Sequence, residues 1–212
     1  NINDPDHIID LKNYIINISH PLIDDIKDFD FIRAVIEKND NEFCSSRSFA
    51  PDFISSICYN GFYPMATYLI DEYLLLIKLH HQRCVIKLED FQIPKKIRNK
   101  AKKFKLTTDQ AFDLCIENII IQHGENWFHP PLTSSFKQIF QNKKYQCQFH
   151  SFELWDEHDL LAGEIGFSVG KSYSSLSGFY NRNSAGTIQL YATAALLKDS
   201  GFVIWDLGME SD

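Results

Sequence analysis

Between Phe149 and Asp206 the spacing of apolar residues changes period and then changes back, and nothing else in the chain constrains the fold as tightly. Phe149 to Trp155 alternates: Phe152 and Leu154 point one way, Glu153 and Trp155 the other, which is a strand pattern. Asp156-Glu157-His158-Asp159 reads as a hairpin turn, and Leu160 to Val169 as the returning strand. Gly163 and Gly166 within it allow a close backbone approach or a bulge. Gly170-Lys171 makes a second turn, and Ser172 to Tyr180 a third strand. After a loop over Asn181 to Gly186, Thr187 to Lys198 has helical spacing through Ile188, Tyr191 and Ala195, and Ser200-Gly201 closes it. Phe202 to Asp206 reads as a buried last strand. Three strands, a helix and a strand in that order predict an α/β (α+β layered) core.

Upstream the pattern is more mixed. Residues 1–42 are acidic (Asp24, Asp25, Asp28, Asp30) with apolar residues at helical spacing (Ile8, Ile9, Leu11, Ile15), predicting one or two helices or a partly flexible end. Pro51-Asp52 opens a helix with Phe53, Ile54, Ile57 and Cys58 as its stripe, and Gly61 ends it. Tyr73–Leu79 and Arg83–Leu88 read as a hairpin around His80-His81-Gln82. The two histidines are turn residues on this reading, since neighbours on a turn point apart and make poor joint metal ligands. Pro94 to Lys105 carries Lys95, Lys96, Arg98, Lys100, Lys102, Lys103 and Lys105 around an apolar stripe of Ile93, Ile97 and Ala101. Like charges so close destabilise a helix unless an anion compensates, which favours contact with a phosphate backbone. Thr107-Thr108-Asp109 is expected to cap a helix running to Gly124. An aromatic loop follows over Asn126 to Pro131, and then a helix over Leu132 to Phe140. The division predicted is 1–90 as a smaller N-terminal subdomain and 91–212 as the core with the basic helix 94–105.

Composition narrows the function classes. With 212 residues the chain can bury a sizeable core. A net charge of -7 argues against a protein that coats nucleic acid uniformly but leaves room for a local basic patch. No apolar run approaches the roughly 18 residues a membrane-spanning helix needs. The odd set of scattered cysteines (Cys44, Cys58, Cys84, Cys115, Cys147) predicts free, mostly buried thiols in a reducing compartment and no zinc.

The run His150-Ser151-x-Glu153-x-Trp155, then Leu160-x-x-Gly163-x-x-Gly166 and Gly170, resembles the core of the bacterial leucyl/phenylalanyl-tRNA–protein transferases. So do Phe179 before Asn183-Ser184-Ala185, the strand end Ile204-Trp205-Asp206, and upstream Gly61-Phe62-Tyr63-Pro64, Arg83-Cys84-Val85-Ile86 and Trp127. The resemblance covers about residues 55–209. It implies a core related to the N-acetyltransferases and a cytoplasmic enzyme. The implied reaction moves an amino acid from charged tRNA to a protein's N-terminal amine, tagging that protein for N-degron degradation. The implied partners are charged tRNA and an acceptor protein or peptide, with no membrane and a monomeric state. The ester is already activated, so no metal and no cofactor beyond the aminoacyl-tRNA donor is needed.

The same resemblance assigns site residues. Asp206 falls where the family's carboxylate orients the amine or relays its proton. The family's glutamine two residues on is Gly208 here, so Glu210 or backbone groups must substitute. A methionine that lines the family's side-chain pocket corresponds to Glu164, and the family's pocket glutamate to Leu176, between Ser175 and Ser177. A carboxylate among apolar groups is costly unless paired, so a cationic side chain is expected and arginine is the favoured cargo, ahead of leucine or phenylalanine. Tyr173, Phe179 and Trp205 are expected to bound the pocket. The family's adenine-stacking tryptophan becomes Met65, while Trp127 keeps a second aromatic position for a base. Arg83 and the cations of 94–105 are the expected tRNA contacts. Two other readings remain open: a coenzyme-A-dependent N-acyltransferase, and a non-catalytic RNA- or degron-binding module.

Overall fold

A computed structural model describes residues 9, 12–14, 16–17, 21–24, 27–38 and 42–209. Ile8, Leu11, Ile15, Asp25 and Glu210 lie outside the described residues. The chain divides into two compact units: residues 1–81 with 125–135, and residues 82–124 with 136–212. The line expected at 90/91 thus falls nine residues after the observed one. Residues 82–90 go with the second unit because β4 (Val85–Lys87) pairs with β9 (Ile204–Asp206).

In the first unit, α1 (Phe29–Lys38) and α2 (Pro51–Tyr59) accompany a three-stranded antiparallel sheet in the order β1 (Phe43–Ser46), β3 (Glu72–Lys78), β2 (Tyr63–Leu69). α2 starts with Pro51 at its first turn and buries Ile54, Ile57 and Cys58, the expected stripe. The expected hairpin of 73–79 with 83–88 does not form: β3 pairs with β1 and β2, whereas β4 belongs to the other sheet. His80 is accordingly half-buried, with its ring centroid 4.7 Å from that of Tyr63, rather than an exposed turn residue.

The second unit is built on a six-stranded sheet in the order β4-β9-β8-β7-β6-β5. β5 is Lys105–Thr108, β6 Gln148–Asp156, β7 Asp159–Val169 and β8 Ser172–Tyr180. All neighbours are antiparallel except β8 and β9. That parallel pair requires a crossover, which the helix after β8, Ala185–Asp199, supplies. The α/β class and the strand–strand–strand–helix–strand order expected from sequence are what the chain adopts. Helix α3 (Lys95–Ala101) is shorter than the expected 94–105, because the chain turns at Lys102-Lys103 and Lys105 enters β5. Helices α4 (Phe112–His123) and α5 (Pro130–Gln141) follow, and the crossover helix is α6.

Two expectations are corrected here. The last strand is only Ile204–Asp206, with Trp205 and Asp206 buried but Val203 and Ile204 exposed, because it is a short strand receiving the crossover. The helix after β5 is not capped by Thr107-Thr108-Asp109. Its cap position is Ala111, whose N–H donates to Glu153 Oε1 at 3.2 Å. Asp109, at φ +59°, instead accepts from the Ser151 N–H at 2.9 Å and from His150 Nδ1 at 3.1 Å.

Candidate active site

The period-2 alternation of β7 sets the two sides of the site. Glu164, Gly166 and Ser168 lie on one face, with α6 packed over it through Ala194 and Leu197 against Phe152, Tyr173 and Trp205. Gly163 and Ile165 take the other face, where a Cβ on Gly163 would come within 2.9 Å of Cys115 on α4. Between Ile165 and Gly166 the register with β8 slips: Ile165 pairs Ser177, Gly166 pairs Ser175, and Leu176 is left without a partner. This bulge is the irregularity that the glycines forecast, and it re-aims Ser175 and Leu176.

Those two side chains help line a cavity of about 300 Å³, with Glu164, Phe179, Gln189, Leu190 and Leu207 among its other walls. Glu164 is only 6% exposed and is one of the residues that line the cavity. Burial pushes its pKa up from 4.5 to about 7, and the polar groups of Tyr173, Gln189 and Ser175 close by only partly oppose that. The Ser175 hydroxyl donates to Oε1 at 3.3 Å and itself accepts the Trp205 indole N–H at 2.8 Å. Of the expected pocket residues, Glu164, Ser175, Leu176 and Phe179 therefore meet around one cavity. Tyr173 and Trp205 do not line it. Both are wholly buried in the core behind its polar wall, since they sit where α6 closes on the sheet.

Gln189 is the residue that sequence reasoning missed. It is 4% exposed, lines the cavity from α6, and donates to the Thr193 hydroxyl at 2.9 Å. A polar residue on the inward face of an otherwise apolar helix was the available signal.

Asp206 is 5% exposed at the end of β9. Its Oδ2 takes an ion pair from Arg83 Nη1 at 2.6 Å, and its Oδ1 accepts the Gly208 N–H at 2.9 Å. Gly208 sits at φ +83°, a conformation that favours glycine, so a backbone donor stands where the family's glutamine side chain was expected. Arg83, grouped by sequence with the basic helix, is thus engaged by the carboxylate it was not expected to meet. The cations of α3 and the turn after it (Lys95, Lys96, Arg98, Lys100, Lys102, Lys103), with Lys105 at the start of β5, are all exposed. Ile97 and Ala101 turn inward.

Met65 and Trp127 belong to the first unit. There the Ala66 N–H donates to the Trp127 carbonyl at 2.9 Å, so the aromatic loop runs beside the strand that carries Met65. Both side chains are half-buried. The cysteines are free, and only Cys84 is exposed. Among the described residues no group of His, Cys, Asp and Glu is arranged to hold a metal, and no helix is long and apolar enough to cross a membrane.

The family model for leucyl/phenylalanyl-tRNA protein transferase matches residues 85–212. The chain belongs to the leucyl/phenylalanyl-tRNA–protein transferase family, a family of aminoacyltransferases. A leucyl/phenylalanyl-tRNA–protein transferase of Hyphomonas neptunium is 28% identical over 166 residues, covering 76% of this chain and 62% of that protein. The one from Paramagnetospirillum magneticum is 26% identical over 165 residues, covering 76% of this chain and 77% of its own length. This chain thus spans less than two thirds of the Hyphomonas relative. Among solved structures, FemX superimposes at a TM-score of 0.45 and 9% identity, over 87% of this chain and 67% of that one.

Proposed function

We propose that this protein transfers an amino acid, with arginine preferred over leucine or phenylalanine, from charged tRNA to the N-terminal amine of a protein in the cytoplasm, marking that protein for degradation. The observation that carries the arginine preference is buried Glu164 on the wall of a cavity that Leu176, Phe179, Leu190 and Leu207 line together with the uncharged polar residues Ser175, Ser177 and Gln189. Family membership supports the reaction class. A guanidinium in that cavity would pair with the carboxylate and favour its ionised form, offsetting the cost of burial.

The chemistry is aminolysis of an ester. The amine nitrogen bonds to the carbonyl carbon, the bond to the ribose oxygen breaks, and the amine's proton passes, directly or through water, to that oxygen, which leaves as the ribose hydroxyl. An N-terminal amine has a pKa of about 8, so a substantial fraction is already neutral and positioning does most of the work. On this reading Asp206 holds the amine. Its two oxygens are fixed by Arg83 and the Gly208 N–H, leaving lone pairs to accept from an incoming N–H. The basic helix and Lys105 bear on the tRNA phosphates.

The test is incubation with radiolabelled arginyl-, leucyl- and phenylalanyl-tRNA and peptides with acidic N-termini. Label moving to peptide from arginyl-tRNA alone or fastest is expected. Transfer from leucyl- or phenylalanyl-tRNA alone contradicts the preference, and acetyl transfer from coenzyme A, or RNA binding without transfer, contradicts the reaction. Replacing Lys95, Lys96 and Lys100 by glutamate should weaken tRNA binding and flatten its dependence on salt by about one unit of log–log slope per lost phosphate contact.

A further inference from the structure

The side chain behind the cavity wall that the reaction leaves unexplained is Tyr173. It is wholly buried in the second unit, and its hydroxyl completes no hydrogen bond of good geometry. An orphaned buried hydroxyl costs about 1–3 kcal/mol, so a fold retains one for a reason. The ring lies over Gly166, where an added Cβ would come within 2.5 Å of the hydroxyl oxygen and 2.2 Å of the Ser174 carbonyl. Gly166 is thus the gap that lets the hydroxyl reach the row Glu164, Gly166, Ser168 on β7, two residues from the cavity carboxyl. Glu164 and Ser175 are its polar neighbours.

We propose that Tyr173 is a specificity-determining positioning residue, whose hydroxyl is the donor taken up by the ionised Glu164 carboxylate when a cationic side chain is bound. A protonated carboxyl does not need that donor; a buried carboxylate does. The cation supplies one partner from the cavity side and the tyrosine another from the core side, while the displaced proton leaves to solvent. Hydrogen bonds to a charged group are the strong kind, so the donor acts on the ionised form and hence on cationic cargo. A leucine or phenylalanine side chain draws nothing from it. The other titratable groups that bear on the pair are Asp109 before α4, His150 on β6 with its ring centroid 6.4 Å from that of Tyr173, and the Cys115 thiol on α4. From α6 the pair meets the uncharged Gln189.

The substrate half of this inference rests on the arginine reading; the titration half does not. Glu164 is followed by carboxyl-carbon NMR of glutamate-labelled protein, its resonance assigned by loss in Glu164→Gln. In Tyr173→Phe the Glu164 midpoint should rise by about one pH unit or more, and KM for the arginyl donor should rise roughly tenfold with kcat little changed. Leucyl transfer should not move, and in the Glu164→Gln background Tyr173→Phe should do nothing further to arginyl transfer. An unchanged Glu164 midpoint in folded Tyr173→Phe overturns the assignment. A raised midpoint in a protein that does not transfer arginine upholds the donor and removes the arginine reading instead. Should Tyr173→Phe not fold, the Tyr173 Cζ resonance of the unmodified protein decides: it should move as Glu164 titrates and lose that step in Glu164→Gln. A Tyr173 resonance blind to Glu164 overturns the proposal.

Discussion

Glu153 and Glu164 are both buried carboxyls on adjacent strands, β6 and β7, and the sheet between them makes them different residues. Glu153 faces α4. It is wholly buried, and it accepts from the Thr107 hydroxyl, the Ser151 hydroxyl and the Ala111 N–H that begins that helix. Those three donors tie β5, β6 and the start of α4 together. Glu164 faces α6. It has a hydroxyl from Ser175 at 3.3 Å, a cavity of about 300 Å³ in front of it and an unpartnered tyrosine hydroxyl behind it. A saturated buried carboxylate is a structural joint; an under-supplied one on a cavity wall is a binding group. The residue type is the same, and the accounting of donors tells them apart.

The largest expected effect breaks the joint. Glu153→Ala removes an acceptor for three donors and should cost about 3 kcal/mol or more in urea unfolding, with loss of transfer from every donor alike. Glu164→Gln should cost far less and can stabilise at neutral pH; equal losses in the two variants would erase the distinction. Next, Asp206→Asn should lower transfer from all aminoacyl-tRNAs by roughly a hundredfold in kcat/KM, since it disturbs the Arg83 pair and the amine contact proposed for Asp206 together. A loss confined to arginyl-tRNA would move Asp206 into the cargo site.

A third effect, spread over a pH window, is the most diagnostic of environment. The Glu164 pKa is raised by burial from 4.5 to about 7, so between those values the folded state holds the proton more tightly than the unfolded one. Stability contributed by that proton is present below pH 4.5 and is lost as pH rises toward 7, by about 3 kcal/mol at most. Comparing unfolding free energies of the wild type and Glu164→Gln across that window should show the wild type falling relative to the variant. A flat difference would return Glu164 to the class of Glu153.

The core of this molecule was legible because periodicity reports faces. β6, β7, β8 and α6 came within a residue or two of their observed bounds, and the bulge was announced by Gly163 and Gly166. Pairing was less legible, because a strand's partners are not written in its own sequence. Tyr73–Leu79 and Arg83–Leu88 looked like a hairpin, yet they serve different sheets. The site was half legible. Glu164 stood out as a carboxyl in an apolar run, but Gln189 and the Arg83–Asp206 pair depend on segments far apart in sequence that only the crossover and β4 bring together. Tyr173 was expected to touch the cargo and instead stands behind Glu164, a distinction set by the depth of α6 packing rather than by alternation.

The most direct measurement is a donor competition between the wild type and Glu164→Met, each given arginyl- and leucyl-tRNA with one acceptor peptide. The wild type should favour arginine, and the methionine variant should reverse that order, losing roughly a hundredfold in the arginine-to-leucine ratio of kcat/KM. A ratio that stays the same when the cavity loses its charge would contradict the account.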